Sequence, residues 1–166
     1  MIAACCDSYE VEFLVESQGL FYFSKKEIRV SETDFTNFET RIVEMVFPNQ
    51  TNHYGTLFGG HALELMDKSA FITASRYARK SMVTACSEKI DFRAPVKNGQ
   101  LVEVIGRIVK RGNSSVTVGV QLFAEDLLSG ERQICAEGHF VLVAVDGNNK
   151  PIHLDKSSVS AQPIVR

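Results

Sequence analysis

Pro48-Asn49-Gln50-Thr51-Asn52-His53-Tyr54-Gly55-Thr56-Leu57-Phe58-Gly59-Gly60-His61 runs directly into Ala62-Leu63-Glu64-Leu65-Met66-Asp67-Lys68-Ser69-Ala70-Phe71. The first part is polar and punctuated by Pro48, Asn52 and Gly55. The paired glycines then give way to good helix formers, so the stretch reads as loop, tight backbone turn and helix. Ala62, Leu65, Met66, Ala70, Phe71 and Ala74 follow the i, i+3, i+4 spacing of one helical face, with Leu63, Ile72 and Tyr77 carrying apolar character round the sides. The spacing predicts a helix over 59–79, enclosed on most faces. It closes with Arg76, Arg79 and Lys80, cations that suit a helix C-terminus.

Asp67 sits inside that apolar pattern, with Leu63 one turn before it and Phe71 one turn after. A carboxylate so placed needs hydrogen bonds, an ionic partner, a neutral form or a wet cleft. Lys68 or Arg93 would serve as an ordinary structural partner. The same position equally suits a functional acid.

Upstream, Phe38 to Phe47 reads as a strand that Pro48 terminates. Residues 1–36 form an N-terminal extension. Within it Val11–Val15 and Leu20–Phe23 read either as a hairpin about Ser17-Gln18-Gly19 or as part of an extension without a strand pair. Downstream the period changes to two. Val83 to Phe92 shifts parity midway, which predicts a bulge or a strand covered on both faces. Leu101 to Val109 alternates only partly, and a second subunit over its other face is one account of that. Val116, Val118, Val120, Leu122 and Ala124 alternate cleanly with polar neighbours and Gly119, the pattern of a half-buried strand. Ile134 to Val145 ends apolar on both faces and belongs in the middle of a sheet. Asp146-Gly147-Asn148-Asn149 stops it, and residues 149–166 read as a polar, weakly ordered tail. Short turns join the strands, so they pair antiparallel, and the single apolar helix needs a sheet to cover it. The expected fold is α+β: a curved antiparallel sheet wrapped around one long central helix, over residues 37–148.

Composition narrows the function. With 166 residues, 45% of them hydrophobic, the chain has enough material for one domain with a real core. A formal charge of −2 and a pI near 6.1 give no general attraction to nucleic acid or anionic membrane, so neither is an expected partner. Cys5, Cys6, Cys86 and Cys135 form no CxxC pair and no zinc-finger spacing, which points to no metal site and to reduced thiols in a cytoplasmic protein. Met1-Ile2-Ala3-Ala4-Cys5-Cys6-Asp7 lacks the basic and long apolar regions of a signal peptide, and no run approaches the ~18 apolar residues of a membrane span.

Taken together, Asn52-(x)2-Gly55-(x)2-Phe58-Gly59-Gly60, Leu65-Met66-Asp67, Val83-Thr84, Phe92-(x)2-Pro95-Val96, Gly112-(x)-Ser114-Ser115 and Phe140-Val141-Leu142-Val143 resemble the hotdog-fold acyl-CoA thioesterases of the acyl-CoA hydrolase type. The resemblance covers about residues 40–146 and rests on several motifs in fixed order. It implies hydrolysis of acyl-CoA to free acid and coenzyme A without a metal or redox cofactor. Asp67 matches the family's catalytic carboxylate, as general base toward water or as nucleophile. Asn52 matches its polar companion, which orients water or binds the thioester carbonyl; as a loop asparagine it would simply close a turn. Gly59, with Gly60 as second choice, matches the backbone N–H that polarises the thioester carbonyl at the helix start. Lys110, Arg111, Gly112, Asn113, Ser114 and Ser115 look like the coenzyme A segment, where small residues admit a nucleotide and cations suit phosphate; a plain hairpin turn is the alternative. His53 and His61 would line the substrate or serve the structure.

Eight residues separate Gly59 from Asp67, about 12 Å at 1.5 Å per residue. The resemblance accounts for that separation with a homodimer whose antiparallel helices bring Asp67 of one chain to Asn52 and Gly59 of the other, and such dimers often assemble in threes into hexamers. Two other functions fit the fold: a hydroxyacyl-thioester dehydratase using His53 with Asp67, and a non-catalytic acyl-CoA-binding or regulatory protein.

Overall fold

A computed structural model describes residues 38–154. The expected hairpin between Val11 and Phe23, and the tail beyond Leu154, lie outside the described residues. The chain runs β1 (Glu39–Met45), a 3-10 turn (Pro48–Gln50), α1 (Gly59–Ala78), β2 (Met82–Ser87), β3 (Asp91–Phe92), β4 (Leu101–Arg111), β5 (Ser115–Glu125) and β6 (Arg132–Ala144). All pairs are antiparallel, in the order β1-β4-β5-β6-β2, with β3 also bonded to β6.

The helix touches β1, β2, β4, β5 and β6. A helix is ~10–12 Å across, whereas five strands at ~4.8 Å spacing span about 19 Å, so contact with all five requires the sheet to curl around it. The buried stripe is Ala62, Leu65, Met66, Ser69, Ala70, Thr73, Ala74, Tyr77 and Ala78. Its small residues let the helix lie close. On β4, Gly106 faces Ser69 and Thr73 so tightly that a Cβ would stand 2.7 Å from Thr73 Oγ1 and 2.8 Å from Ser69 Oγ. The expected enclosure on most faces is therefore only partial: Phe71 and Ile72 are 44% and 38% exposed on the side away from the sheet, beside Asp67.

The parity shift after the helix has a simple cause. β2 carries a bulge between Thr84 and Cys86, and Glu88–Ile90 leave the ladder before β3 rejoins β6. In β4, Ile105 is already buried within one chain while Val109 is exposed, so partial alternation there does not require a second subunit over Ile105. β5 alternates without exception, and β6 lies between β5 and the β2–β3 edge. The first residues beyond Pro151 pack on the domain. Ile152 N–H donates to Ala144 O, Leu154 N–H donates to Asn113 O, and Leu154 is buried. On the outer face Arg41 spans Glu39 and Glu103, Arg107 joins Glu39, and Arg132 joins Glu103 while lying 4.1 Å from the Phe123 ring centroid.

Candidate active site

The loop before α1 is organised by Asn52. Its Oδ1 accepts from Tyr54 N–H at 3.0 Å, Thr56 N–H at 3.2 Å and the Thr56 hydroxyl at 3.1 Å, while its backbone bonds Thr56 and Gly55. Closing a turn is thus one role of this side chain, and it fixes the amide: the oxygen is occupied, and Nδ2 has no partner among the described residues. Gly55 supplies the positive φ (73°) that the turn requires. His53 lies against Tyr54 at the exposed tip, with ring centroids 3.8 Å apart and the planes tilted by 41°.

The helix begins without a side-chain cap: Phe58 occupies the N-cap, and Phe58 O accepts from His61 and Ala62. The N–H groups of Gly59 and Gly60 have no acceptor among the described residues, and both glycines are exposed. Unpaired donors at the positive end of a twenty-residue helix form a ready site for a carbonyl acquiring negative charge. His61 braces this end. Phe47 N–H donates to Gln50 Oε1, so Gln50 Nε2 must donate, to Glu44 at 3.0 Å and to His61 Nε2 at 3.0 Å. That leaves the ring proton on Nδ1, 3.2 Å from Glu64, whose carboxyl is held below its ordinary range by the hydrogen bond and charge of Lys68.

Asp67 is half-buried on the open face of α1. Neither anticipated cation pairs with it: Lys68 bonds Glu64, and Arg93 bonds Glu137. Its partner is Thr84 on β2, whose hydroxyl donates to Oδ1 at 2.8 Å. Oδ2 has no partner among the described residues. Sequence reasoning noted Thr84 within the motif pattern but gave it no role. The signal available was a hydroxyl on the strand immediately after the helix.

Lys110 and Arg111 end β4, Gly112, Asn113 and Ser114 turn, and Ser115 opens β5. A Cβ on Gly112 would stand 2.6 Å from Ser115 Oγ, so the hydroxyl would have to rotate away to admit one. Arg111 is engaged structurally, donating to Leu154 O at 2.7 Å.

Within one chain these residues fall at two ends. Gly59 shares a cavity wall with Leu122 and Ala136. Thr84 pairs with Leu142, which pairs with Val116 next to the 112–114 turn. Ala136 to Leu142 is about 20 Å along β6 at ~3.3 Å per residue. Asn52, Gly59 and Gly60 therefore occupy one end, and Asp67, Thr84 and the 110–115 segment the other. Among the described residues no group of three or more His, Cys, Asp or Glu side chains is placed to hold a metal ion.

The thioesterase superfamily pattern matches residues 54–131. The uncharacterized acyl-CoA thioester hydrolase YkhA of Bacillus subtilis is 37% identical over 125 residues, 73% of each chain. Among solved structures, a hexameric acyl-CoA thioesterase superimposes with a TM-score of 0.69 at 35% identity, covering 71% of this chain and 76% of its own. The Staphylococcus aureus acyl-CoA hydrolase in complex with butyryl coenzyme A, coenzyme A and coenzyme A disulfide gives 0.68 at 32% identity, covering 72% and 73%. Three variants of that enzyme replace an aspartate, a threonine and an asparagine by alanine, the last in complex with coenzyme A. They match 72% of this chain at 31% identity, with TM-scores of 0.68, 0.68 and 0.69, over 74%, 74% and 72% of their own lengths. The sheet curled on one helix, the helix start with unpaired amides and these likenesses agree: the chain belongs to the acyl-CoA thioester hydrolases, hotdog-fold enzymes of the thioesterase superfamily.

Proposed function

We propose that the protein hydrolyses acyl-CoA to a free carboxylic acid and coenzyme A in a site shared by two protomers. The carrying observation is the division of the chemical groups: an acid held by Thr84 at one end of the chain, unpaired amide donors at the other. A thioester carbon cannot meet both ends of one chain, whereas two antiparallel helices bring each acid to the neighbour's amides. The exposed Phe71 and Ile72 beside Asp67, and the open edge of β2, support a second copy on that face. The residues replaced in the Staphylococcus aureus variants are spaced along its chain as Asn52, Asp67 and Thr84 are here, which supports the same assignment.

In this reading the thioester oxygen accepts from Gly59 N–H, with Gly60 beside it, and Asn52 Nδ2 holds the water or the carbonyl. Asp67 Oδ2 takes a proton as water adds to the carbonyl carbon. The tetrahedral intermediate collapses, the C–S bond breaks, and the proton passes to the coenzyme A thiolate. Every step is a proton or acyl transfer that protein groups and water perform, so no metal or redox cofactor enters. Lys110 to Ser115 of the chain supplying Asp67 flank the coenzyme A. Three such dimers would form a hexamer, in the cytoplasm, where reduced Cys86 and Cys135 and acyl-CoA coexist.

Thiol release from acyl-CoA tests the activity, and mixing inactive variants tests the sharing. Asp67→Ala and Asn52→Ala are each expected to lose turnover and keep the fold. Unfolded and refolded together, they should recover about a quarter of wild-type activity, because half the dimers then hold one intact site. Near-normal hydrolysis by Asp67→Ala rejects the acid. Two inactive variants that stay inactive after mixing reject the shared site.

A further inference from the structure

The helix start opens onto a largely apolar cavity of about 260 Å³, open on one side, within a single protomer. Its mouth is exposed: Gly59, Phe92 and Pro95. Its inner wall is buried: Leu122, Cys135 and Ala136 are each 1% exposed. The inner wall depends on a slip in register. Leu122 pairs with Ala136 and Phe123 with Ile134, so Cys135 has no partner on β5 and two successive residues of β6 are buried together. Ala136 is also the β6 partner of Phe92, whose ring stands 4.0 Å from the position of a Cβ on Gly59. The cavity therefore begins at the amide that would hold the thioester oxygen and ends at small side chains. The one charged lining residue, Arg93, is exposed at the mouth and paired with Glu137.

We propose that this cavity receives the acyl chain of the substrate, and that Cys135 and Ala136 at its closed end restrict hydrolysis to short and medium straight chains. The inference rests on the thioester hydrolysis argued above, and the cavity adds which acyl groups are accepted. Its volume is below the ~300–1,000 Å³ of pockets for drug-sized ligands, and its depth is fixed by backbone register rather than by a mobile loop. A chain that fits is removed from water one methylene at a time, worth about fourfold in kcat/KM per methylene if the gain is fully realised. A chain that does not fit must displace packed residues or stay outside.

The test is kcat/KM for thiol release from straight-chain acyl-CoAs, from acetyl to palmitoyl, with wild type, Ala136→Leu and Cys135→Ala. Thermal unfolding and size-exclusion profiles of the same samples check the fold. Wild type should rise with chain length and then stop rising before lauroyl. In Ala136→Leu the break should move to shorter chains, with octanoyl falling at least tenfold relative to acetyl. In Cys135→Ala, which only enlarges the cavity, it should move to longer chains, so a folding failure of the leucine variant leaves a deciding measurement. Breaks that stay in place in the variants, or a wild-type profile that climbs unbroken to palmitoyl, overturn the cavity assignment and leave the hydrolase standing. A wild type that releases no thiol from any member overturns both.

Discussion

Thr84 on β2 donates its hydroxyl to Oδ1 of Asp67 on α1, 2.8 Å away, across the junction between the helix and the open edge of the sheet. The bond orients the carboxylate and leaves Oδ2 without a partner among the described residues. A hydrogen bond to a charged group contributes ~1.5–3 kcal/mol.

Removing that hydroxyl without changing side-chain shape should therefore cost turnover more than binding. Thr84→Val is expected to lower kcat ~10- to 100-fold with KM changed less than threefold, and Thr84→Ser to recover most of the loss. Steady-state kinetics on one acyl-CoA decide this. Equal kcat values for Val and Thr would remove Thr84 from any positioning role.

Close approach of helix to sheet makes a second expectation. Gly106→Ala puts a Cβ within 2.8 Å of two hydroxyl oxygens and 3.2 Å from Ser69 O, an overpacking that costs ~1–3 kcal/mol. Tm should fall by at least ~2 °C. Ser69→Ala, by contrast, deletes a buried hydroxyl with no hydrogen-bond partner among the described residues and should leave Tm unchanged or raised. Equal Tm for Gly106→Ala and wild type would mean that the backbone yields there.

The outer-face ion pairs should appear in acid unfolding. Burial works to raise the Glu39 carboxyl, but hydrogen bonds and charge from Arg41 and Arg107 outweigh it and hold the group below 4.5. A carboxyl depressed in the folded state adds stability above its unfolded pKa and loses it as pH falls through the folded value. Glu39→Gln should thus flatten the decline in stability between about pH 5 and pH 3, by no more than ~1 kcal/mol for so accessible a network. Urea midpoints across that range measure it. Parallel curves for the two proteins would show that the pairs carry no net stability.

Arg111 offers a fourth check, because its guanidinium holds the backbone of Leu154. Arg111→Ala should loosen residues 152–154 and speed exchange of the Leu154 amide, which donates to Asn113 O. Amide hydrogen exchange is the readout. Unchanged protection at Leu154 would show that the apolar contacts of this segment suffice.

The elements themselves followed from periods readable in the chain: strict alternation from Val116 to Ala124 became β5, and the glycine pair ahead of a helical stripe became the start of α1. Phe71 was misjudged as enclosed because periodicity counts apolar residues and does not know which face has a sheet to meet. Asn52 and Asp67 stood out by pattern, yet their partners did not. Thr84 lies seventeen residues from Asp67, and only the pairing of β2 with β6 brings its hydroxyl to the helix. Hydrophobic patterning and turn chemistry are local, and the sequence by itself determined the elements and their antiparallel connections through them. Where Cys135 and Ala136 meet a cavity depends on a one-residue register slip between β5 and β6, and Arg93 stands by Glu137 rather than Asp67 because β3 pairs with β6. Both follow from the pairing of strands far apart in sequence, so the tertiary structure alone decided them.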